Sequence, residues 1–422
     1  MNINLKGKTV ALGVTGSISI YKACEVARLF IKAGANVHVI MSPAAKKFMA
    51  PLTFEALTRN PVLCDESESW ANEHNHIDIA KKCDILLIAP ATANTLNKLS
   101  KGIADNILLQ VALAFKGTIL VAPAANTQML NNHLTNGSLK MLRVNDTRII
   151  ASQNKLLACG DEGDGALAEP LEIFYHGAKA LLEEEFWIDR KIVVTGGGTR
   201  EKIDEVRYLS NFSSGKMAAS IATALYLKGA DVCYITTADV SELPSEIYTI
   251  EVDSAQEIHD YTIDAVRVAK KGKMSTSSLN NTQAPHMIMK QPYLFMTAAV
   301  ADYTPKFPQS GKIKKASIGE EWNISLKETQ DVLKNVNKDN LITIGFKAEM
   351  DASKGLENAT QALQSKGVDA ICYNLLTDST SFGTNDNAIT FITQANQIDL
   401  PKKSKMELAF EILDESAKLE GV

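Results

Sequence analysis

The first half of the chain alternates between short, continuously apolar runs and longer segments whose apolar residues recur every three or four positions. The apolar runs predict buried strands, and the periodic segments predict helices that cover them. Strands are predicted near Val10–Val14, Val37–Met41, Ile85–Ala89, Ile119–Ala122 and Arg148–Ala151. Helices are predicted near Ile18–Ala33, Phe48–Leu57, Ala93–Leu99 and Leu171–Phe186. This alternation is typical of a parallel sheet with helices on both faces.

The second half repeats the alternation from Lys191 onward. A helix is predicted from about Ser214, and Lys405–Leu419 predicts a C-terminal amphipathic helix. The segment Lys270–Lys290 is polar and lacks a period, which predicts a mobile surface loop. We interpret Trp187–Arg190 as a short linker. Strands are predicted near Val193, Val232–Thr236, Tyr248–Val252, Leu294–Ala298, Ile342–Phe346, Ala370–Tyr373 and Ile389–Ile392.

The length of 422 residues accommodates two hydrophobic cores, so we predict domains over residues 1–188 and 189–422. The net charge of -5 argues against nucleic-acid binding, which requires a basic surface. No apolar run approaches membrane-spanning length. We therefore expect neither nucleic acid nor a membrane as a partner. The six cysteines form no CxxC pair, which is typical of a reducing cytosol and predicts a cytoplasmic location.

Both predicted domains open with a strand, a glycine turn and a helix, as nucleotide-binding α/β domains do. The first turn follows Gly13 and includes Gly16, while the second is the triple glycine Gly196–Gly198. Neither turn has the GxGxxG spacing of a dinucleotide site. Each glycine turn alone is more simply explained as a tight connection between strand and helix.

Hydroxyl groups near the first turn favour a phosphate ligand. Thr15 and Ser17 lie in the turn, and Ser42 follows the second strand, where a dinucleotide fold places an acid. Hydroxyls and the N-terminus of a helix suit a phosphate monoester, because backbone N–H groups and the helix dipole favour an anion. We therefore predict a phosphate site rather than a turn without a ligand.

His76 is a candidate for chemistry, with His74 as the competing residue. A lone histidine usually has no catalytic role. His76, however, directly precedes the apolar segment Ile77–Ala80, which we interpret as strand-forming. We therefore expect His76 near a strand end, where sites form in α/β folds.

Small and amide-bearing residues follow two other predicted strands. Ala91 lies in Ala89–Thr95, and small residues there would let a flat ring approach closely. Thr92 and Asn94 can form hydrogen bonds with the heteroatoms of such a ring. Asn126 follows the next strand. These residues extend the predicted site along the sheet edge.

An acidic, glycine-rich loop over Leu157–Gly165 carries Cys159. The other five cysteines lie in apolar contexts and are interpreted as small core residues. Nearby carboxylates should keep the Cys159 thiol protonated, so this residue is predicted to act as an acid rather than a nucleophile.

Over nearly its whole length the sequence resembles the bifunctional bacterial phosphopantothenoylcysteine decarboxylase/phosphopantothenate–cysteine ligases of coenzyme A biosynthesis. The order of the motifs across both halves makes the resemblance specific. In the first half they are GxTGSIxxYK from Gly13, HIDIA at His76, APATANT at Ala89, PxxN at Asn126 and ACGDxGxG at Cys159. In the second half they are TxGxTRExIDxVRYxSNxSSGKM from Thr195, AAVADY from Ala298 and KIKK from Lys312.

The resemblance implies that the first domain is a flavodoxin-like, homo-oligomeric flavin-containing cysteine decarboxylase that binds FMN. It implies that His76 serves oxidative decarboxylation, that Asn126 holds the substrate carboxylate and that Cys159 donates a proton in the reductive step. A flavin suits this chemistry, because loss of CO₂ from a cysteinyl group needs an electron sink. The implied FMN-binding residues are Gly13, Thr15, Gly16, Ser17, Ser42, Ala91, Thr92 and Asn94.

The resemblance implies that the second domain is a Rossmann-like ligase, so that both domains are doubly wound parallel-sheet folds. CTP would activate 4'-phosphopantothenate as an acyl-cytidylate, from which the amine of cysteine displaces CMP. Asn211 would stabilise this intermediate, and Asp302 would reach Mg²⁺. Lys312 is favoured over Lys314 and Lys315 as the triphosphate ligand, although such lysines are usually only a solvated basic run. The other implied nucleotide-contacting residues are Asp331, Phe346 and Lys366.

Three positions depart from the family pattern. Ala125 stands where the family commonly has methionine, Gln330 where its turn has proline, and Ala362 where a second lysine is usual. The resemblance also implies flavin-domain trimers with sites between subunits, joined through ligase-domain dimers.

Two alternatives remain open. The first domain also resembles flavin-binding regulatory proteins that have no decarboxylase turnover. The second alternative is an NAD(P)-dependent oxidoreductase, against which stand the missing GxGxxG and the presence of Ser42 in place of an acid.

Overall fold

The computed structural model describes residues 2–157, 160, 162–275, 277–279, 284–314, 320–351, 353–376 and 383–420. These residues form two compact units. The N-terminal unit comprises Ile3–Glu183 and Ser275–His286, and the C-terminal unit consists chiefly of Glu184–Met274 and Met287–Val422. The units therefore divide between Glu183 and Glu184, ahead of the boundary that we predict at residue 188.

The N-terminal unit is built on a parallel five-stranded sheet of order β2-β1-β3-β4-β5. β1 and β3 are buried almost throughout, because helices cover both faces of the sheet. The strands are β1 (Thr9–Val14), β2 (Asn36–Met41), β3 (Ile85–Ala91), β4 (Thr118–Pro123), β5 (Arg148–Ile149), β6 (Gln153–Leu156) and β7 (Glu162–Ala166), of which β6 and β7 form an antiparallel hairpin. The helices are α1 (Ile20–Lys32), α2 (Pro51–Thr58), α3 (His76–Lys82), α4 (Ala93–Leu99), α5 (Ile107–Ala114), α6 (Thr127–Asn131), α7 (His133–Val144) and α8 (Pro170–Leu182).

The C-terminal unit contains an eight-stranded sheet of order β12-β11-β8-β15-β18-β19-β20-β21. The sheet is parallel from β12 to β19 and antiparallel from β19 to β21. The strands of the unit are β8 (Lys191–Gly196), β9 (Arg200–Lys202), β10 (Tyr208–Ser210), β11 (Asp231–Thr236), β12 (Tyr248–Glu251), β13 (Lys273–Met274), β14 (Met287–Ile288), β15 (Tyr293–Met296), β16 (Tyr303–Pro305), β17 (Leu326–Glu328), β18 (Ile342–Glu349), β19 (Ala370–Leu375), β20 (Asp386–Thr393) and β21 (Gln397–Ser404). Its helices are α9 (Lys216–Leu227), α10 (Ala255–Ala269), α11 (Val332–Asn335), α12 (Gly355–Lys366) and α13 (Lys405–Ala417).

The predicted fold class is confirmed, since both units are α/β and built on parallel sheets. Each predicted strand is present within a few residues of its expected position. The prediction for Ile77–Ala80 is wrong, because this segment belongs to α3 and not to a strand. The reason is local: the Asn75 side chain accepts hydrogen bonds from the N–H groups of Ile77 and Asp78, which starts a helix at His76.

The linker interpretation of Trp187–Arg190 is also wrong, because these residues pack into the C-terminal unit. Trp187 is fully buried, with its ring centroid 5.2 Å from that of Tyr293. The Arg190 guanidinium donates to the Glu420 carboxylate and to the backbone oxygen of Gln291, both at 2.7 Å.

The polar segment Lys270–Lys290 contains paired backbone at its ends. Lys273 and Met274 pair with Met287 and Ile288 as strands β13 and β14. Within the N-terminal unit, the Leu279 N–H donates to the backbone oxygen of Val144 at 2.9 Å. Residues 276 and 280–283 of the predicted mobile loop lie outside the described residues.

Candidate active sites

The N-terminal unit has a cavity of about 860 Å³ near the C-terminal ends of β1 to β4. The carboxyl ends of parallel strands meet at one edge of a sheet, so residues that are distant in the sequence converge there. The predicted residues that line this cavity are Thr15, Gly16, Ser17, Ser42, Thr92, Asn94 and Asn126.

One wall of this cavity offers hydroxyl groups. The Thr15 hydroxyl donates to the backbone oxygen of Pro90 at 2.6 Å and accepts from the Thr92 N–H at 3.1 Å. Ser42 is only 7% exposed, and its hydroxyl has no hydrogen-bond partner among the described residues. A Cβ on Gly16 would lie 2.6 Å from that of Ala44, so only glycine fits this turn. A buried hydroxyl beside a glycine turn fits a polar or anionic ligand group.

The cavity is also lined by Asn126, whose side-chain oxygen accepts from the Gln128 N–H at 2.9 Å and caps α6. Hairpin β6–β7 packs closely on the chain around this residue. A Cβ on Gly165 would lie 1.9 Å from the Ala125 oxygen, and one on Gly163 would lie 2.1 Å from the Thr127 hydroxyl. The glycines of the acidic loop therefore let the hairpin approach Asn126 without intervening side chains.

Four predicted residues are not placed at this cavity. Gly13 lies inside the sheet, where a Cβ would come 2.5 Å from Leu108, and Ala91 is fully buried in β3. His76 does not line the cavity, because it begins α3 and its ring contacts Glu68. Cys159 lies outside the described residues.

The competing histidine, His74, belongs to the loop that precedes α3. Its backbone pairs with Ser69, and its ring Nε2 is buried with no hydrogen-bond partner among the described residues. Like His76, it does not line the cavity.

The other described cysteines behave as the sequence predicts. Cys64, Cys83 and Cys372 are buried, while Cys24 and Cys233 are half-buried. Burial raises the pKa of Cys83 to about 12 and that of Cys233 to about 11. These thiols therefore stay protonated at neutral pH and are unsuited to nucleophilic chemistry.

Three lysines that line the first cavity were not singled out from the sequence as site residues: Lys22, Lys98 and Lys155. Lys98 pairs with Asp105, whereas Lys22 and Lys155 both contact the Glu169 carboxylate. Lys155, and then Lys22, hold the pKa of Glu169 below its usual value. Lys22 could have been found as the last residue of the GxTGSIxxYK motif, whereas Lys155 carries no sequence signal.

The C-terminal unit has a cavity of about 970 Å³ between the ends of β15, β18 and β19 and the start of α9. Five predicted residues line it: Asn211, Asp302, Asp331, Phe346 and Lys366. The fold thus brings together predicted residues that lie more than a hundred positions apart along the chain.

Two acidic residues of this cavity, Asp302 and Asp331, are held in place through backbone hydrogen bonds. Asp331 caps α11 by accepting from the Lys334 N–H at 3.2 Å, and its second oxygen lies 3.7 Å from the Lys366 ammonium. The Asp302 backbone oxygen accepts from the Thr329 N–H at 2.9 Å. These bonds hold the turn before Asp331 beside Asp302. Asn211 donates from its amide to the backbone oxygen of Val300 at 3.2 Å, which ties it to the same loop.

Lys312 is exposed and does not line this cavity. The next residue, Ile313, is held on both sides of its backbone. Its N–H donates to Asp204 at 3.1 Å, and its oxygen accepts from Arg207 at 2.7 Å. Lys315 lies outside the described residues.

The triple glycine serves packing and does not line the cavity. A Cβ on Gly196 would lie 2.5 Å from that of Ala218 in α9. Gly197 has a φ of +83°, and a Cβ there would lie 2.2 Å from the Thr237 hydroxyl. The cavity is lined instead by the segment Ser213–Lys216, at the N-terminus of α9. Backbone N–H groups at such a helix terminus favour an anion.

Three cationic residues of the second cavity were not predicted: Lys216, Lys347 and Lys405. Lys216 donates to the Gly383 oxygen at 2.8 Å and to the Asn385 side chain at 2.9 Å. Lys405 is 8% exposed, and burial, followed by the charge of Lys216, lowers its pKa. Lys216 could have been read from the SSGKM motif, but only the tertiary fold reveals Lys405.

The three departures from the family pattern have different surroundings. Ala125 lines the first cavity and Gln330 lines the second. Ala362 instead packs against the apolar core of the C-terminal unit.

Within the described ranges, no group of three or more His, Cys, Asp or Glu side chains could hold a metal ion. No helix in that part of the chain is long and apolar enough to cross a membrane.

Comparison with known proteins gives matches over both units. The model of the family "Flavoprotein" matches residues 2–179, and that of "DNA/pantothenate metabolism flavoprotein C-terminal domain" matches residues 187–275 and 273–419. The chain is 33% identical to the "Coenzyme A biosynthesis bifunctional protein CoaBC" of Haemophilus influenzae, over 98% of each chain. It is 34% identical to the protein of that name from Bacillus subtilis, also over 98% of each. A crystal structure of the C-terminal domain of such a CoaBC protein is 30% identical and has a TM-score of 0.43. It covers 56% of this chain and 98% of its own.

Proposed function

This chain belongs to the family of bifunctional coenzyme A biosynthesis proteins CoaBC, and we propose that its two cavities catalyse the two reactions. It is a bifunctional enzyme that combines a flavoprotein decarboxylase with a ligase. The ligase joins cysteine to 4'-phosphopantothenate, and the decarboxylase converts the 4'-phosphopantothenoylcysteine formed into 4'-phosphopantetheine. The observation that carries this proposal is the separate grouping of decarboxylase and ligase candidates around one cavity in each unit.

The first cavity fits the phosphate of FMN. The unpartnered Ser42 hydroxyl can donate to a phosphate oxygen, and the Gly16 turn leaves room for it. Ser17 adds a second hydroxyl, while Thr92 and Asn94 border the space for the flavin ring. When bound, FMN supplies the reversible two-electron chemistry that decarboxylation of a cysteinyl group requires.

The substrate carboxylate is assigned to Asn126, which lines the cavity beside hairpin β6–β7. Exclusion of water by this hairpin would strengthen the bond between the amide and the carboxylate. His76 is proposed to accept a proton in the oxidative step, and Cys159 to donate one in the reductive step.

In the second cavity, CTP activates 4'-phosphopantothenate and Asn211 holds the acyl-cytidylate. Asp302 is the proposed Mg²⁺ ligand. Since Mg²⁺ usually takes one or two carboxylates together with substrate phosphates and water, a single carboxylate is sufficient. Phe346 would contact the cytidine, and Lys366, oriented by Asp331, would neutralise phosphate charge.

Neither His76 nor Lys312 lines the cavity of its own unit, which supports a homo-oligomer in which neighbouring copies complete the sites. We propose flavin-domain trimers joined through ligase-domain dimers. Co-expression of Asn126→Ala and His76→Asn chains should then restore decarboxylation, because mixed subunits form some sites with both native residues. Mixed oligomers without activity would contradict this arrangement.

Two further points belong to the same proposal. We place the enzyme in the cytoplasm, in keeping with its free thiols. A regulatory flavin module without decarboxylase turnover is the second candidate for the first unit, because His76 does not line the cavity of that unit.

The deciding experiment supplies the purified protein with 4'-phosphopantothenate, cysteine, CTP and Mg²⁺. Release of both pyrophosphate and CO₂ is expected, together with flavin absorbance. Pyrophosphate without CO₂ would favour the regulatory module, and release of neither product would refute the proposal.

A further inference from the structure

The loop before α3 folds back and places Glu68 against His76. Hydrogen bonds from the Ser69 N–H to the His74 oxygen, at 2.8 Å, and from the His74 N–H to the Ser69 oxygen, at 3.0 Å, close the loop. One Glu68 carboxylate oxygen lies 2.7 Å from Nδ1 of His76 and 3.4 Å from its backbone nitrogen. The carboxylate thus contacts both the ring and the backbone of one residue.

The ring of His76 is constrained from other directions as well. Asn75 caps α3 and fixes the backbone at His76. The ring of Trp70 meets that of His76 edge to face, at 5.7 Å between centroids and 89° between planes. About three-quarters of both the Glu68 and His76 side chains is shielded from solvent. Such shielding strengthens a hydrogen bond between an acid and an imidazole.

The contact determines which ring nitrogen is available for chemistry. A carboxylate can only accept, so the Nδ1 position that contacts Glu68 carries the proton. Nε2 then keeps its lone pair, and it has no hydrogen-bond partner among the described residues. An acid that fixes the histidine tautomer and stabilises the imidazolium is a recurring support for a general base.

We propose that Glu68 is the positioning residue for His76 in the decarboxylation, an assignment that rests on the proposed function. Nε2 takes the proton of the substrate thiol: the S–H bond breaks, an N–H bond forms and the electron pair stays on sulfur. The charge that develops on the imidazole is balanced by the Glu68 carboxylate. Glu68 itself does not touch the substrate.

Other acids near this loop do not fit the role. Asp78 bonds to the Asn75 side chain within the helix cap. Glu66 pairs with Lys46. Glu66→Gln therefore removes a carboxylate of the same loop without touching His76, and it provides the matched control.

The kinetic test uses the full-length flavoprotein. Glu68→Gln should lower the kcat for CO₂ release by about 10²-fold, with KM and flavin content unchanged. Glu68→Asp should recover part of the loss, and Glu66→Gln should behave as wild type. A Glu68→Gln/His76→Asn double variant should be no slower than His76→Asn alone, because Glu68 acts only through His76. An unchanged kcat in Glu68→Gln, or additive losses in the double variant, would overturn the assignment.

A second measurement does not depend on turnover. Nitrogen-15 NMR of the His76 imidazole, assigned with the His76→Asn variant, should show the neutral ring protonated at Nδ1. A ring protonated at Nε2 would overturn the inference even in an active enzyme. Wild-type protein that releases no CO₂ would refute the decarboxylase proposal, and the NMR result would still decide whether Glu68 fixes the His76 tautomer.

Discussion

The two units begin with the same order of strand, glycine turn and helix, but they use the glycines differently. In the N-terminal unit the turn itself lines the cavity through Gly16 and its neighbours. In the C-terminal unit, Gly196 and Gly197 lie against α9 and Thr237, and Ser213–Lys216 lines the cavity instead. A glycine after a strand therefore predicts that another group approaches the backbone closely at that point. Whether the approaching group is a ligand or a helix depends on the rest of the fold.

The strands β2 and β11, which pair in parallel with the first strand of each unit, show another difference. The third residue of β2 is His38, which is buried, and the third residue of β11 is Cys233. Burial, followed by the charges of Lys82 and His74, lowers the pKa of His38 to about 4. At this strand position, a fall in pH can add a charge in the N-terminal unit only. The Cys233 thiol of the C-terminal unit is already protonated and neutral, so it gains no charge.

The largest expected effects come from replacing the asparagine of each cavity, because each substitution should slow only the reaction of its own cavity. Asn211→Ala should lower the kcat for pyrophosphate release by about 10²–10³-fold, because the acyl-cytidylate loses a preorganised donor. Asn126→Ala should do the same to CO₂ release from added 4'-phosphopantothenoylcysteine. Separate assays of both products on both variants check this. Loss of both activities in either variant would break the comparison, since each cavity would then depend on the other.

The next effect concerns pH. His38 is neutral in the folded N-terminal unit but gains a proton in the unfolded chain below about pH 6.5, so stability is lost as the pH falls from there toward 4. The loss should reach about 3 kcal/mol at most. Urea unfolding followed by flavin fluorescence at pH 7 and pH 5 measures it. His38→Gln should reduce the dependence, and an unchanged slope in that variant would refute the assignment to His38.

The glycines give the third test. Gly16→Ala should weaken flavin binding by about 10–100-fold, because the new methyl group displaces Ala44 at the cavity. Gly197→Ala should instead destabilise the C-terminal unit by about 1–3 kcal/mol, because φ is positive and Thr237 is in the way. Flavin retention on gel filtration and urea unfolding distinguish the two outcomes. Flavin loss in Gly197→Ala would show that the glycines are not used differently.

The smallest effect concerns the ion pair between Asp331 and Lys366. Lys366→Met should raise the KM for CTP about tenfold and leave kcat nearly unchanged, because one phosphate-facing charge is lost. Lys334→Met, on helix α11 but outside the cavity lining, serves as the control. An equal change in both variants would show that the effect of Lys366 is not local to the cavity.

The strands were predictable because continuous apolar runs are buried on both faces of a parallel sheet. Some elements were missed for physical reasons. Helix α5 is apolar on most sides, so its sequence has no polar face whose period would indicate a helix. Strand β21 contains Pro401, and a proline argues against a strand. The short helix α3 depends on its Asn75 cap more than on a periodic pattern.

The sites were predictable where residues follow strands, since topology alone brings strand ends together. Asn126 and Asp302 belong to this class. Lys155 and Lys405 do not, because they reach their cavities from a hairpin and from the start of the last helix. No local sequence pattern indicates that these two lysines lie at a cavity. The contact between Glu68 and His76 was missed for the same reason, since it depends on the closure of a loop.

Ala125 has a consequence for selective inhibition. The wall beside Asn126 carries the single methyl group of Ala125, where the resemblance to the family implies the longer side chain of methionine. A substrate analogue that carries an extra branch next to its carboxylate should be accommodated here and rejected by relatives with methionine. Each methylene group is worth about 1–3 kcal/mol in such a pocket. The ratio of inhibition constants between this enzyme and its Ala125→Met variant would measure that selectivity directly.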